Sequence, residues 1–320
     1  MTKTNLLLKE IFVKGIKQGL KTTLWISKMM IPITFVVALL KWAGAIEFIG
    51  TALAPVLKHI GLSAEGVLVF ITTALSSIYS GIAVMATLNI EYRAVTILAV
   101  MGLICHNLII ETVIQKKAGS NPYLVVAIRI VGALFAAWSM NLILPVGYTG
   151  TLILPEIPPA DNTLWGVVVE WFWQMATLLP YMLVLILSLN ILQQILRTFD
   201  LVRILTIPLR PFMKVFGLSK DSSFLWIILN TLGLAYGGAV LISSVKEKEI
   251  TAREASLLGT HASITHSVLE DTLLLLAIGV TMFWLVIPRF IISIVAVWSQ
   301  RLYYYIKDRK INKTECHPKA

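Results

Sequence analysis

Long apolar runs, separated by short polar segments, fill most of the chain. A helix that crosses a bilayer needs about 20 mostly apolar residues, and six runs are long enough: 22–41, 93–115, 122–144, 164–195, 253–276 and 282–300. Two more apolar runs, 64–89 and 222–245, are interrupted by "SSIYSG" at 76–81 and "GLAYGG" at 233–238. At membrane depth such interruptions need cover from protein or a water-filled cavity. The pattern predicts an all-α, polytopic integral membrane protein.

Composition agrees with this fold class. Of the 320 residues, 57% are hydrophobic and only 14% are charged, which excludes an ordinary soluble domain. The sequence contains no P-loop, no "HExxH" and no "GxSxG" motif, so we expect neither an enzyme nor a cofactor and assign no catalytic residues. Cys105 and Cys316 give no disulfide or metal-ligand pattern.

The distribution of charge predicts the topology. The net charge is +10, but the basic residues lie between the apolar runs, so we expect the lipid bilayer and not nucleic acid as partner. If the interrupted runs are hairpins and the N-terminus is cytoplasmic, most Lys and Arg residues fall on the cytoplasmic side. The loop 146–163, which holds Glu156, Asp161 and no Lys or Arg, then lies outside. We therefore expect a multi-pass protein of the cell membrane with both termini in the cytoplasm.

The two halves of the chain resemble each other. "APVLKHIGLS" at 54–63 matches "RPFMKVFGLS" at 210–219, pairing Pro55 with Pro211 and Lys58 with Lys214. "IYSGIAV" at 78–84 matches "AYGGAVL" at 235–241, pairing Tyr79 with Tyr236 and Gly81 with Gly238. Beyond these, uncommon residue types recur 160 positions apart: Ile90/Ile250, Arg93/Arg253, His106/His266, Thr112/Thr272, Gly119/Gly279, Arg129/Arg289 and Trp138/Trp298. This self-similarity indicates an internal duplication.

The duplication predicts the domain organisation. We expect an amphipathic cytoplasmic lead-in at 1–21, repeats at 22–145 and 164–300 joined by the external loop 146–163, and a basic cytoplasmic tail at 301–320. Each repeat would have three spanning helices and one re-entrant hairpin or broken helix. Because three is an odd number of crossings, the repeats would be inverted, as in many secondary transporters whose site lies where the repeats meet.

The order of these features resembles a known family. "GLS" precedes an apolar hairpin with a Tyr/Ser/Gly break, and a helix containing His and Glu follows. This order is similar to the Gate, or nucleoside-recognition, domain shared by concentrative nucleoside transporters, the membrane part of ferrous-iron transporters and the spore maturation membrane proteins. The resemblance covers both repeats and implies a transport fold. The chain lacks a GTP-binding domain and the paired-cysteine motif of the iron transporters, which weakens the implication of iron transport.

Ionisable residues inside the predicted spans are the first candidates for a site. "HNLIIET" at 106–112 is the counterpart of "HSVLEDT" at 266–272. Ionisable groups at membrane depth usually face a cavity or a partner, so we predict proton or ion coupling by His106, Glu111, His266, Glu270 and Asp271. On one continuous helix His266 and Glu270 would share a face, which predicts a dyad in the second repeat. Placement near the headgroups is the structural alternative, and a metal remains an open question.

The hairpin tips and their polar neighbours are the second set of candidates. Hydroxyls, amides and free backbone groups at helix breaks suit the binding of a polar solute or a partly dehydrated ion. The alternative is close helix packing through small residues. The predicted substrate-binding residues are Ser76, Ser77, Tyr79, Ser80, Gly81, Asn107, Asn230, Thr231, Tyr236, Gly237, Gly238 and Ser267. Arg129 and Arg289 are expected to snorkel or to form internal ion pairs.

Three functions fit these features. The first is a membrane transporter of a small polar solute, nucleoside-like or ionic, that works by inverted-repeat alternating access. The second is a divalent-metal permease of the iron type, in which histidines and carboxylates are the ligands. The third is a membrane assembly factor that transports nothing. The sequence leaves the substrate, the direction of transport and homo-oligomerisation open.

Overall fold

The computed structural model describes residues 3–45, 48, 52, 59–88, 90–153 and 163–315. The positions of Pro55, Lys58, Glu156, Asp161 and Cys316 lie outside these residues. The described chain is built of helices: α1 (Lys3–Trp42), α2 (Ala64–Leu75), α3 (Ile78–Leu88), α4 (Tyr92–Ile104), α5 (Leu108–Lys117), α6 (Pro122–Ile143), α7 (Leu164–Thr198), α8 (Leu201–Val215), α9 (Ser223–Thr231), α10 (Gly233–Lys246), α11 (Ala252–Thr265), α12 (Val268–Ala277) and α13 (Met282–Glu315).

Several helix starts follow from local sequence signals. Helix α6 begins with Pro122, and the Asn121 side chain accepts a hydrogen bond from Tyr123 N at 3.0 Å. Proline at the first position and asparagine at the cap are both favoured there, since the cap oxygen satisfies a free N–H group. Helix α11 begins in the same way, because Thr251 Oγ1 accepts from Glu254 N at 3.2 Å.

Within the described residues, five stretches are long and apolar enough to cross a membrane: Lys9–Trp42, Tyr92–Lys117, Pro122–Ile143, Leu164–Thr198 and Met282–Arg309. They confirm a polytopic, all-helical membrane protein. The remaining predicted span, 253–276, is divided into α11 and α12, which have 14 and 10 residues. Helices α4 and α5 divide the span 93–115 in the same way. The described part of the predicted lead-in 1–21, residues 3–21, continues without a helix end into the first span.

The two interrupted runs are helical hairpins. Helices α2 and α3 have 12 and 11 residues and are each too short to cross a bilayer core of about 30 Å at about 1.5 Å per residue. A methyl group placed on Gly81 of α3 would collide with Thr73 of α2, so the chain turns back between these two residues. In the second hairpin Gly237 of α10 faces Leu229 of α9 in the same way.

The hairpins correct one detail of the sequence alignment. Thr73 faces Gly81 where Leu229 faces Gly237. Thr73 O and Leu229 O also accept equivalent hydrogen bonds, from Asn107 N at 3.2 Å and from Ser267 N at 3.0 Å. Gly81 is therefore equivalent to Gly237, and the predicted pairings with Gly238, and of Tyr79 with Tyr236, are wrong by one position. The register of the "GLS" motif continues through the hairpin.

The two halves are related by inversion. Helices α1 and α7 occupy the same place in their repeats and pack along their length. Gly15 contacts Ile191, Gly19 contacts Leu187, and Trp171 Nε1 donates to Thr34 Oγ1 at 3.0 Å. Residue numbers rise along one helix as they fall along the other, so the two helices are antiparallel. The counterpart of α8 falls on residues that lie mostly outside the described part of the chain.

Candidate functional site

Both repeats interrupt a spanning helix at the same place. The first break, residues 105–107, separates α4 from α5, and the second, residues 266–267, separates α11 from α12. Asn107 has φ 49° and Ser267 has φ 54°, so each residue turns the chain through the left-handed region. Each donates its N–H to a hairpin carbonyl, and the hairpin tips thereby hold the breaks. The breaks thus leave backbone groups without a partner in their own helix and place polar side chains in the interior of the fold.

Two fully buried arginines fix the breaks. Arg129 on α6 donates from Nε to Ile104 O at 2.9 Å and from Nη2 to His106 O. Arg289 on α13 donates to Ile264 O at 2.9 Å and to His266 O at 2.8 Å. Carbonyl groups at a helix end have no partner within the helix, so each guanidinium satisfies the end that the break creates. The predicted snorkelling does not occur, since both side chains point inward.

The breaks bring His106 and His266 together. Their Nε2 atoms are 3.3 Å apart, and both rings are buried. His106 Nδ1 is 2.9 Å from Gly102 O, and His266 Nδ1 is 2.7 Å from Ala262 O. A carbonyl oxygen can only accept a hydrogen bond, so each Nδ1 carries a proton, and in a neutral ring Nε2 then presents its lone pair. We call these two residues the histidine pair.

Two buried carboxylates, matched across the repeats, surround the histidine pair. Glu111 Oε1 lies 3.2 Å from His106 Nε2, and Glu111 Oε2 lies 3.0 Å from His266 Nε2. Asp271 Oδ2 lies 3.6 Å from His106 Nε2. These two residues and the histidine pair were predicted for proton or ion coupling, and the structure brings all four together.

The two carboxylates differ in their arginine partners. Arg129 Nη1 is 2.7 Å from Glu111 Oε2, which makes a buried ion pair. Asp271 has one methylene fewer, and among the described residues neither its Oδ2 nor Arg289 Nη1 has a hydrogen-bond partner. The charge of Glu111 is therefore balanced within its own repeat, whereas Asp271 directs a carboxylate oxygen towards the histidine pair.

The predicted dyad of His266 and Glu270 is wrong. His266 ends α11 and Glu270 lies on α12, so the face-sharing of one continuous helix does not apply. Glu270 instead accepts hydrogen bonds from Tyr79 OH at 3.3 Å and from Gln193 Nε2 at 2.6 Å. It thereby connects the first hairpin to α7.

A cavity of about 300 Å³ reaches His106 of the histidine pair. His106, Glu111 and Asp271 line its inner end, and Arg197, whose guanidinium lies 4.3 Å from the centre of the Tyr236 ring, lies on its wall. The lining comes from α1, α7, both breaks and both hairpins. It includes Gln18, Thr22, Ser77, Tyr79, Asn107, Ile110, Asn190, Gln193, Gly233, Ser267 and Glu270. This size is at the lower end of small-molecule sites.

The predicted substrate-binding residues divide into two groups. The five that line the cavity are Ser77, Tyr79, Asn107, Tyr236 and Ser267. The structure does not bring the others to it. Ser76 and Ser80 bond each other at 2.9 Å; Asn230 and Thr231 bond carbonyls of their own helix and border a separate, apolar groove. Gly81, Gly237 and Gly238 lie in close helix contacts.

Sequence reasoning missed the contribution of α1 and α7 to the cavity. Gln18 and Thr22 come from α1, and Asn190, Gln193 and Arg197 come from α7. A signal was present in "SLNILQQILR" at 188–197, because amides inside a predicted span mark a polar path as charges do.

The fold and the site together define a multi-pass membrane protein with two inverted repeats around a buried polar cluster. Over 285 residues the chain is 30% identical to YvoD of Bacillus subtilis (strain 168), an uncharacterized membrane protein, and the match covers 88% of this chain and 91% of YvoD. The chain therefore belongs to the same family as YvoD. No protein-family model matches the chain, and no solved structure gives a significant match.

Proposed function

We propose that the chain is a secondary transporter of the cell membrane that carries a small polar solute or a cation by alternating access. The observation that carries this proposal is the cavity that leads to the histidine pair where the two repeats meet. Buried ionisable groups at membrane depth are costly, and they usually mark a pathway. Inverted repeats with discontinuous helices at a common centre are the architecture in which such pathways occur. The resemblance to the Gate domain supports the same function.

The walls of the cavity give a proposed orientation. Gln18 and Thr22 lie in the N-terminal half of α1, and Gln193 and Arg197 lie near the C-terminal end of α7. The positive-inside rule assigns both ends to the cytoplasm, so the cavity is open to the cytoplasm. Inversion allows a second state, in which the equivalent surfaces of the other repeat separate and expose the histidine pair outside.

Flux into liposomes tests the proposal. Purified protein is reconstituted, and entry of labelled nucleosides and of divalent cations is measured. Ile110 lines the cavity, whereas its neighbour Ile109 lies outside it, and both side chains are exposed. We expect Ile110→Trp to reduce flux at least about tenfold, because the indole fills the cavity, and Ile109→Trp to retain it. Absence of flux for the whole panel would refute transport and favour a membrane assembly factor.

A further inference from the structure

With both histidines neutral, the polar cluster has an excess of hydrogen-bond acceptors. With both Nδ1 protons committed to carbonyls, two neutral rings place the lone pairs of their Nε2 atoms 3.3 Å apart. The neighbouring oxygens of Glu111 and Asp271 are acceptors as well. Acceptor atoms this close repel each other unless a positive species lies among them. Arg129 supplies such a charge to Glu111 but bonds no histidine nitrogen.

The spacing of the acceptors suits a metal ion. Zinc–nitrogen bonds of about 2.0–2.1 Å in a tetrahedral site place neighbouring ligand atoms about 3.3 Å apart. The two Nε2 atoms are 3.3 Å apart, and Asp271 Oδ2 is 3.6 Å from the nearer one. Ligand atoms of His106, His266 and Asp271 all lie within 4.8 Å of one another. Three protein ligands leave the fourth coordination position of the ion open towards the cavity, where a water molecule can bind.

Hydrogen bonds already orient the ligands. Metal-binding histidines commonly donate their other ring N–H to a carbonyl, which fixes the tautomer and directs the free nitrogen at the ion. Both histidines do so here, through Gly102 O and Ala262 O. Asp271 Oδ2 is buried and has no hydrogen-bond partner within the described chain, so one carboxylate oxygen is available. Arg129 holds Glu111 beside the histidines, where it adds negative charge.

The donor set selects a class of ion. Imidazole nitrogen combined with carboxylate oxygen suits borderline divalent transition metals such as Zn²⁺, Co²⁺, Ni²⁺ and Fe²⁺. Mg²⁺ and Ca²⁺ prefer oxygen ligands alone, and Cu⁺ prefers sulfur. We propose that His106, His266 and Asp271 bind one borderline divalent transition-metal ion, and that this ion is the cargo. Its role as cargo rests on the proposed transport function, whereas its binding does not.

Cobalt gives a direct measurement of the site. Tag-free, full-length protein in detergent is titrated with Co²⁺, whose visible d–d absorption reports its ligands, and X-ray absorption then counts the imidazoles. We expect one Co²⁺ per chain with two imidazole ligands and displacement by Zn²⁺. His266→Gln and Asp271→Asn should each weaken binding at least about a hundredfold. His261→Gln is the matched control, because His261 is buried against Trp226, Thr265 and Ser293, away from the cavity.

The outcomes separate this inference from the transport proposal. Circular dichroism and size-exclusion profiles without metal show whether each variant folds, and the ligand count on the wild-type protein needs no variant. Failure to bind Co²⁺ or Zn²⁺ at a two-imidazole site would overturn the inference and indicate a histidine pair that shares a proton. Flux of another solute would then leave transport standing. Metal binding without any flux would overturn transport and leave the metal site standing.

Discussion

Arg129 and Arg289 make the same two contacts in the two repeats. Each donates from Nε to the carbonyl 25 residues before it and from Nη2 to the carbonyl of a histidine 23 residues before it. Each arginine thus closes a broken helix and fixes the histidine that lies within the break. The internal duplication has preserved this construction at the centre of the protein, where the two histidines meet.

The arginines should differ in their contribution to stability. In the part of the chain that the structure describes, Arg129 alone of the two also pairs with a carboxylate, at 2.7 Å. Removing one partner of a buried pair costs about 3–5 kcal/mol. We expect Arg129→Ala to destabilise the protein more than Arg289→Ala, which removes the two equivalent hydrogen bonds without breaking such a pair. Denaturant titration of the purified variants, followed by circular dichroism, measures the difference. Equal losses for the two would contradict the assigned ion pair.

The hairpins should be sensitive at Gly81 and Gly237, for reasons that differ. A methyl group on Gly81 meets the Thr73 side chain, whereas one on Gly237 meets backbone and side chain of Leu229. Overpacking of this kind costs about 1–3 kcal/mol. Thr73→Ala should therefore reduce the cost of Gly81→Ala, and Leu229→Ala should not reduce that of Gly237→Ala to the same extent. A double-mutant cycle of unfolding free energies checks both; additive effects at Thr73 and Gly81 would count against the hairpin contact.

Replacing Ser267 by glycine should make the protein more stable. Its φ of 54° is left-handed, a conformation that costs about 1–2 kcal/mol for most residues and little for glycine. We expect Ser267→Gly to raise the thermal midpoint. Ser267→Ala, which also removes the hydroxyl but keeps the side-chain carbon, should lower it or leave it unchanged. If both variants changed the midpoint equally, the hydroxyl and not the backbone would dominate at this position.

The proposed topology places Gly147 outside and Lys220 inside. Single cysteines at these two positions, in a Cys105→Ala, Cys316→Ala background, can be labelled with a membrane-impermeant thiol reagent. Nothing lies within 4 Å of a Cβ added at Gly147, so the new side chain fits there. We expect Gly147→Cys to react in intact cells and Lys220→Cys only after permeabilisation. Reaction of both from the same side would rule out the single crossing by α7 between them.

Much of the architecture could be predicted from sequence because it depends on long patterns. The length of the apolar runs predicts the spanning helices. The recurrence of residues such as Arg129/Arg289 reveals the duplication even where the pattern of one half alone leaves its architecture ambiguous. The interrupted runs were recognisable from their small and polar residues. These signals extend over tens of residues, so single-position errors, such as the Tyr79/Tyr236 pairing, do not affect them.

The geometry of the site could be predicted only in part. His106, Glu111, His266 and Asp271 were found because charge is costly inside a span. The breaks at 105–107 and 266–267 contain no Pro or Gly; they depend on tertiary contacts from Arg129 and Arg289. For one continuous helix, periodicity predicted that Glu270 would contact His266. Because the helix is broken there, Glu111 from the other repeat makes that contact instead. The polar residues of α7 contribute through tertiary packing, which periodicity along one helix does not report.

Access to the cavity from both sides of the membrane tests the central claim most directly. In the cysteine-free background, Ile110→Cys lies in the cavity and Ile109→Cys outside it. Impermeant thiol reagents are applied from either face of reconstituted vesicles of known orientation. Alternating access predicts that Ile110→Cys reacts from both faces. When Zn²⁺ or another transported substrate is added, the rates of reaction from the two faces should change in opposite directions. Ile109→Cys should not show this opposite change. Reaction of Ile110→Cys from one face alone under every condition would contradict the account.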